Sequence, residues 1–382
     1  MMHANWAHVV RGAAALAAAM GIGRFAYTPI LPLMTAQANI TPQLAGNLAT
    51  ANYVGYLAGA LAGIASNRLA RSAMALRVSL VVLVATLAAM PLASNAFGWL
   101  GLRAVAGFTS AVVFLIAVNS MLDHLGDHSP HLPGWGFGGV GVGIALSAVL
   151  VLAQPGAGWQ SAWWIAAASA AVLSIFAWTM GGTRSAADDS IAAPARPDAR
   201  ARFDRRFAML FVSYTLEGIG YIVAGTFLVA AIKATSSGWL GDGAWLFVGL
   251  AAAPSAALWA WLGARWSHPR LLVVALTLQA IGIALPAVAA GAAAALLGAV
   301  LFGGTFIGVS TMTLAAGRLL RFPAAVALLT AGYSAGQIIG PVAVAPLLHH
   351  GFQNALFAAA LTVVVAAVAA ALLRTPQPVP AR

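Results

Sequence analysis

Of the eight acidic residues in this 382-residue chain, one, Glu217, falls inside a long apolar run, Phe207–Ile232. Two of the nineteen basic residues lie further inside such runs, Arg24 in the run Val9–Leu33 and Arg103 in the run Phe97–Met121. A lone carboxylate among apolar neighbours is suited to carrying a proton or holding a polar solute. An arginine there offers a fork of five donors that matches an anion. Three readings follow for Glu217 and Arg24. Glu217 carries a proton or binds solute, with Arg24 setting its ionisation; or the two form a permanent ion pair that locks helices together; or Arg24 contacts an anionic solute directly. Arg103 lies near the start of its run, where structural pairing is the simpler role.

Further polar residues in the runs are Tyr27, Asn52, Tyr53, Tyr56, Asn119, Tyr214, Tyr221, Gln279, Tyr333 and Gln337. Their phenols and amides suit a sugar-like or amphipathic solute, although helix-packing hydrogen bonds use the same groups. His124, His128 and His131 lie close to Asp123 and Asp127, but Pro130 and Pro133 break any helix that would align them as metal ligands. A solvated loop is the expectation there, with no metal and no cofactor. With no cysteine there is no thiolate nucleophile or thiolate metal site. No Walker-type phosphate loop or HExxH supports nucleotide-driven pumping or hydrolysis.

The elements that position these groups follow from composition. The chain is 62% hydrophobic and 7% charged, against roughly 25% charged in a soluble domain. Lipid must cover most of its surface. Twelve apolar runs are each long enough to cross a hydrocarbon core of about 30 Å. Sixteen basic residues fall in alternate segments that include both termini, and the opposite loops hold only Lys233. The asymmetry predicts cytoplasmic termini. It also accounts for the net charge of +11 without nucleic acid. The first run continues through Gly21–Arg24 to Pro32, longer than a signal-peptide core.

Residues 181–206 carry four aspartates, two prolines and six arginines with no apolar period. They read as a cytoplasmic linker between an N-terminal six-helix bundle, 1–180, and a C-terminal one, 207–382. A shift of 197 residues lays Gly21-Ile22-Gly23 on Gly218-Ile219-Gly220, Arg68 on Arg265, and Gly139 and Gly143 on Gly336 and Gly340. A shift of 196 lays Gly107 and Thr109 on Gly303 and Thr305. These matches predict a duplicated unit related by a pseudo-two-fold axis along the membrane normal, with a solute site between the halves. Under the repeat, Arg24 corresponds to Tyr221, one helical turn from Glu217, about 6 Å along the axis.

Gly63-Ile64-Ala65-Ser66-Asn67-Arg68-Leu69-Ala70-Arg71 resembles the G-x-x-x-D-R-x-G-R signature of the major facilitator superfamily, with Asn67 for the aspartate and Ala70 for the last glycine. Arg103 with Gly107 resembles the arginine-glycine signature of its fourth helix. Residues 21–29, Gly-Ile-Gly-Arg-Phe-Ala-Tyr-Thr-Pro, and 216–221, Leu-Glu-Gly-Ile-Gly-Tyr, resemble the YbfB/YjiJ-like bacterial branch.

The resemblance implies an all-α membrane protein of twelve transmembrane helices in two pseudo-symmetric six-helix bundles, with the first and seventh helices facing across the cavity. It implies a secondary transporter of a small solute in the bacterial inner membrane, working by alternating access as a monomer. Proton coupling through Glu217 is expected, and export over uptake, since glycine-dense Gly134–Gly143 and Gly336-x-x-x-Gly340-Pro341 look like antiporter surfaces. Gly63, Asn67, Arg68, Arg71, Arg103, Gly107, Gly336, Gly340 and Pro341 are assigned gating or structural roles. A non-transporting sensor with the same fold and a membrane-embedded enzyme are the alternatives.

Overall fold

The computed structural model describes residues 2–125, 132–154, 156, 158–180, 205–235, 239–320 and 325–373. Among them are twelve helices long and apolar enough to cross a membrane. These are α1 (Trp6–Gln37), α2 (Pro42–Ala65), α3 (Ala73–Leu92), α4 (Ala96–Met121), α5 (Gly134–Leu152), α6 (Trp159–Ala177), α7 (Arg205–Thr235), α8 (Gly243–Gly263), α9 (His268–Val288), α10 (Ala292–Gly317), α11 (Leu328–Leu348) and α12 (Phe352–Ala371). No described residue forms a strand. In lipid the backbone must bond to itself, and helices achieve this span by span. The expected linker lies almost wholly outside the described residues. Its last two arginines, Arg205 and Arg206, open α7.

Local signals set several helix starts. The Thr41 hydroxyl accepts from the Leu44 amide ahead of α2, with Pro42 at the first helical position. Ser66 caps the short helix Asn67–Arg71, and Ser72 caps α3 by accepting from the Ala75 amide at 3.1 Å. Gly351, at φ 106°, supplies the left-handed turn between α11 and α12.

The packing pairs repeat. In the first bundle α1 packs on α5 and α6, α2 on α4, and α3 on α4 and α6; in the second, α7 packs on α11 and α12, α8 on α10, and α9 on α10 and α12. The halves meet through α1 with α7, α2 with α11, and α5 with α8. Each pairing maps onto another when six is added to the helix numbers, so the contact map carries the pseudo-two-fold.

The glycines that suggested the duplication are the points where backbones touch. A Cβ on Gly143 of α5 would lie 2.9 Å from Ala17 Cα of α1, and one on Gly340 of α11 would lie 2.7 Å from Ile219 O of α7. Likewise a Cβ on Gly107 would lie 2.9 Å from the Tyr56 amide nitrogen, and one on Gly303 would lie 2.8 Å from Val248 Cα. Close backbone approach is how helices gain dispersion contact in lipid, where no hydrophobic force drives them together.

The α5–α8 seam between the halves is built the same way. Gly141 and Gly249 face each other so closely that a Cβ on either would lie 2.6 Å from the other's carbonyl oxygen. Gly134 sits on Ala257 at the end that bears the arginine-rich loops.

Gly143→Val is expected to force α1 off α5 and to destabilise the protein by about 1–3 kcal/mol, the usual cost of overpacking. Gly304→Ala, whose Cβ would meet nothing within 4 Å, is expected to leave the melting temperature unchanged or slightly higher. Thermal unfolding of the two detergent-purified variants followed by size-exclusion chromatography checks the contrast.

Candidate functional site

Arg24 owes its position to a break in α1. The helix widens into a π-helical stretch at Ala17–Ile22, turns through residues 23–26 and resumes as an α-helix over Tyr27–Gln37. Gly23 N and Phe25 N reach back five residues to Ala18 O and Met20 O, and Thr28 N reaches only to Phe25 O. Pro29 has no N–H for the Phe25 carbonyl, so the sequence itself prevents a regular helix here. The carbonyls of Gly23 and Arg24 are left without helical donors.

Arg103 of α4 supplies them. Its Nη1 donates to Gly23 O at 3.3 Å, its Nη2 to Arg24 O at 3.4 Å and its Nε to Leu48 O of α2 at 3.5 Å. The bonds are long, but the guanidinium is 1% exposed and has no acidic partner. The Tyr27 ring lies 4.8 Å from its Cζ. Arg103 thus bridges the broken turn of α1 and the backbone of α2.

The Arg24 side chain leaves that turn into the seam between the halves. Its Nη2 donates to Gln337 Oε1 of α11, and its Nε has no partner. Its Cζ lies 4.6 Å from the Tyr56 ring, 4.8 Å from Tyr53 and 5.4 Å from Phe25, close enough for cation–π attraction. The residue is 3% exposed.

Glu217 is fully buried and faces another way. Its Oε1 accepts from Gln279 Nε2 of α9 at 3.0 Å, and its Oε2 has no partner. Arg24 and Glu217 form no salt bridge, so the ion pair that was one of the three readings is absent: each charge is held by an amide instead. Helical spacing along α7 aligned the two in depth but did not fix the direction in which Glu217 points.

Tyr221 and Tyr333 are within electrostatic reach of both. The Tyr333 ring stacks on Tyr214 at 4.3 Å and 14°, and on Tyr221 at 5.7 Å and 17°. Tyr221 stacks in turn on Phe306 of α10 at 5.4 Å and 18°. Phe306 meets Phe25, and Phe25 meets Trp245 of α8, each at 6.3 Å.

One end of the seam is sealed. The Thr28 hydroxyl donates to Gly225 O, and the Tyr53 and Thr226 hydroxyls bond at 2.9 Å. Every α7 residue from Gly220 to Ile232 is buried, as is every α1 residue from Ala14 to Leu31. Thr28 and Gly225 are equivalent under the 197-residue shift, and a contact between equivalent positions lies at the two-fold axis. Gly46 of α2, opposite Pro341 O of α11, belongs to the same sealed end. Towards the arginine-rich end, Tyr56 and Tyr333 are partly exposed.

Arg24, Tyr53, Tyr56, Tyr214, Tyr221, Tyr333 and Gln337 are thus brought together, with Glu217 and Gln279 behind the tyrosines. Three other candidates for solute contact are engaged elsewhere. Tyr27 donates to Ala45 O at 2.9 Å, and Asn52 donates to Arg103 O at 3.0 Å. Asn119 donates to Ala70 O at 3.1 Å, tying α4 to the short helix after α2. These are the helix-packing bonds that polar side chains make in lipid.

In the signature loop, Arg71 bridges to Asp123 at 3.3 Å, Arg68 is exposed, and the Asn67 side chain lies outside the described residues. A Cβ on Gly63 would meet only the Leu115 side chain. His124 Nδ1 bonds to Ser120 O at 2.8 Å, and its ring stacks on His8 at 4.2 Å. Asp127, His128 and His131 lie outside the described residues.

Sequence reasoning missed Phe25, Phe306, Trp245 and the Thr28–Gly225 contact. Phe25 sits inside the segment 21–29 already singled out, and the repeat offset marks Thr28 with Gly225. It also passed over a Gly-x-Ser-x-Gly spelling at Gly332–Gly336, which lies inside continuous α11 rather than on the strand-to-helix turn that exposes a nucleophile.

Two six-helix bundles with a charged, aromatic seam between them define a major-facilitator transporter. The chain belongs to the family described as "Uncharacterised MFS-type transporter YbfB", which matches residues 16–371. It is accordingly a transporter and not an enzyme. Among solved structures it resembles the nucleoside transporter NupG, at 15% identity and a TM-score of 0.72 over 96% of this chain and 98% of that one. It also resembles an alanine-substituted NupG variant, at 14% identity and 0.74 over 96% and 100%. No curated protein sequence matches the chain.

Arg103→Ala is expected to leave two buried carbonyls, those of Gly23 and Arg24, without a donor, at about 1–3 kcal/mol for each unsatisfied group, and to lower the melting temperature sharply. Arg103→Lys, which reaches with one ammonium instead of a fork, is expected to recover only part of the loss in the same unfolding assay.

Proposed function

We propose that the chain is a secondary active transporter that moves a small solute across the bacterial inner membrane by alternating access. The observation that carries the reading is the seam itself: one cation of the first bundle, Arg24, bonded across it to Gln337 of the second, beside an on-axis contact that closes one end. Residues 1–180 and 207–382 rock as units about this seam, joined by residues 181–206. The arginine-rich loops favour cytoplasmic termini, which makes the sealed end periplasmic and the conformation inward-facing. A monomer suffices, since both halves of the site come from one chain.

Glu217 is the group we assign to proton coupling. A carboxylate with one neutral hydrogen bond and one unpartnered oxygen is costly to bury charged, and a proton removes that cost. The groups facing it are Gln279 of α9, Tyr214 and Tyr221 of its own helix, and Tyr333 of α11; Arg24 interacts with the same Tyr221 and Tyr333. Export is the direction we assign, on the glycine-dense α5 and α11 alone.

The absence of cysteine makes the chain its own labelling background. With Thr28→Cys and Gly225→Cys together, oxidation is expected to cross-link the sealed end and stop solute flux in proteoliposomes, and reduction to restore it. Flux that continues through the cross-link rules out rocking about this axis. A sensor would bind solute with no flux in either state.

For any solute so transported, Glu217→Gln is expected to abolish accumulation driven by a pH gradient while solute exchange continues. Accumulation that persists in that variant removes Glu217 from coupling.

A further inference from the structure

We propose that the solute is an organic anion built on a flat conjugated ring, its carboxylate taken by Arg24 in place of the Gln337 amide and its ring packed against the edges of the Tyr221–Tyr333 stack. The inference rests on the transport reading and names the class of solute.

The charge argument comes first. Arg24 is buried, bonds to one neutral acceptor and leaves its Nε without a partner. A guanidinium so placed is under-satisfied, and a carboxylate answers it with two parallel bonds. No acid of the described chain does this. Glu217, the acid within the spans, is turned to Gln279 behind the tyrosines. The counter-charge must therefore arrive with the solute.

Ring geometry supplies the second half. Tyr214, Tyr333, Tyr221 and Phe306 lie at successive interplanar angles of 14°, 17° and 18°, forming a stack of nearly parallel rings from α7, α10 and α11 that presents ring edges to its surroundings. An edge-to-face contact with such a stack is worth about 0.5–1.5 kcal/mol beyond burial, which an aliphatic solute forgoes. Of the ten amides and phenols that would have suited a sugar, three, on Tyr27, Asn52 and Asn119, are spent on backbone carbonyls.

Position connects binding to movement. The Arg24–Gln337 bond spans the two halves, so a carboxylate that replaces the amide releases α11 from α1. The solute thereby favours a different arrangement of the bundles through its own differential contacts.

Benzoate, benzamide and cyclohexanecarboxylate separate the two requirements. Calorimetric titration into the detergent-purified protein is expected to show benzoate binding at least about 10-fold more tightly than either of the others, about 1.4 kcal/mol. Arg24→Gln is expected to abolish the preference over benzamide. Tyr221→Leu is expected to shrink the preference over cyclohexanecarboxylate while keeping carboxylate selectivity. Benzamide equal to benzoate, cyclohexanecarboxylate equal to benzoate, or no binding of any probe overturns the inference. Should the variants misfold, the ranking on the unmodified protein decides alone.

Failure of the transport reading has its own signature. The benzoate ranking together with no flux of membrane-impermeant 4-sulfobenzoate in proteoliposomes upholds the ligand class and removes the carrier. Flux of other solutes without the ranking removes the class and keeps the carrier.

Discussion

A transmembrane helix that stops being regular must find donors for the carbonyls it frees, because lipid offers none. In α1 the turn between Ile22 and Tyr27 frees those of Gly23 and Arg24, and the Arg103 guanidinium reaches both from α4. The rest of the site depends on this clamp. With the turn held, Arg24 projects into the seam instead of along the helix surface, and Thr28 is placed against Gly225 at the axis. A charge that costs several kcal/mol to bury is thus used to keep a second charge in place.

The duplication accounts for most of the architecture, and the departures from it mark the site. Equivalent glycines make equivalent helix contacts in both halves, down to Gly107 on the Tyr56 turn and Gly303 on Val248. Yet α1 is broken where α7 runs continuously from Arg205 to Thr235. The position equivalent to Arg24 is Tyr221, part of the aromatic stack. At this pair of equivalent positions one half therefore contributes a cation and the other an aromatic ring. Arg24 and Glu217 form no direct pair and interact with the same Tyr221 and Tyr333.

The number of spans, the duplication and the depth of Arg24 and Glu217 were legible because they depend on composition and spacing. Lipid demands about twenty apolar residues per crossing, and glycines at one offset mark the same backbone contact twice. Side-chain direction was not legible. Nothing in the spacing of Glu217 tells whether its carboxylate turns to Arg24 of α1 or to Gln279 of α9, both a helix diameter away. The same limit applies to Tyr27, Asn52 and Asn119, whose types suit a solute but whose partners are carbonyls of Ala45, Arg103 and Ala70. The break at residues 23–26 was half visible, in Gly23 and Pro29, without the π-helical stretch that precedes it.

The bare backbone contact of α5 with α8, centred on Gly141 and Gly249, behaves as a bearing. Interlocked leucines or phenylalanines would have to climb over one another for the bundles to swivel, at the expense of strained rotamers. Two smooth tracks of glycine and alanine have no teeth to disengage, so a small tilt there swings the distant helix tips through a wide arc with little friction. A bulky residue on either track would put teeth where the two surfaces are now smooth.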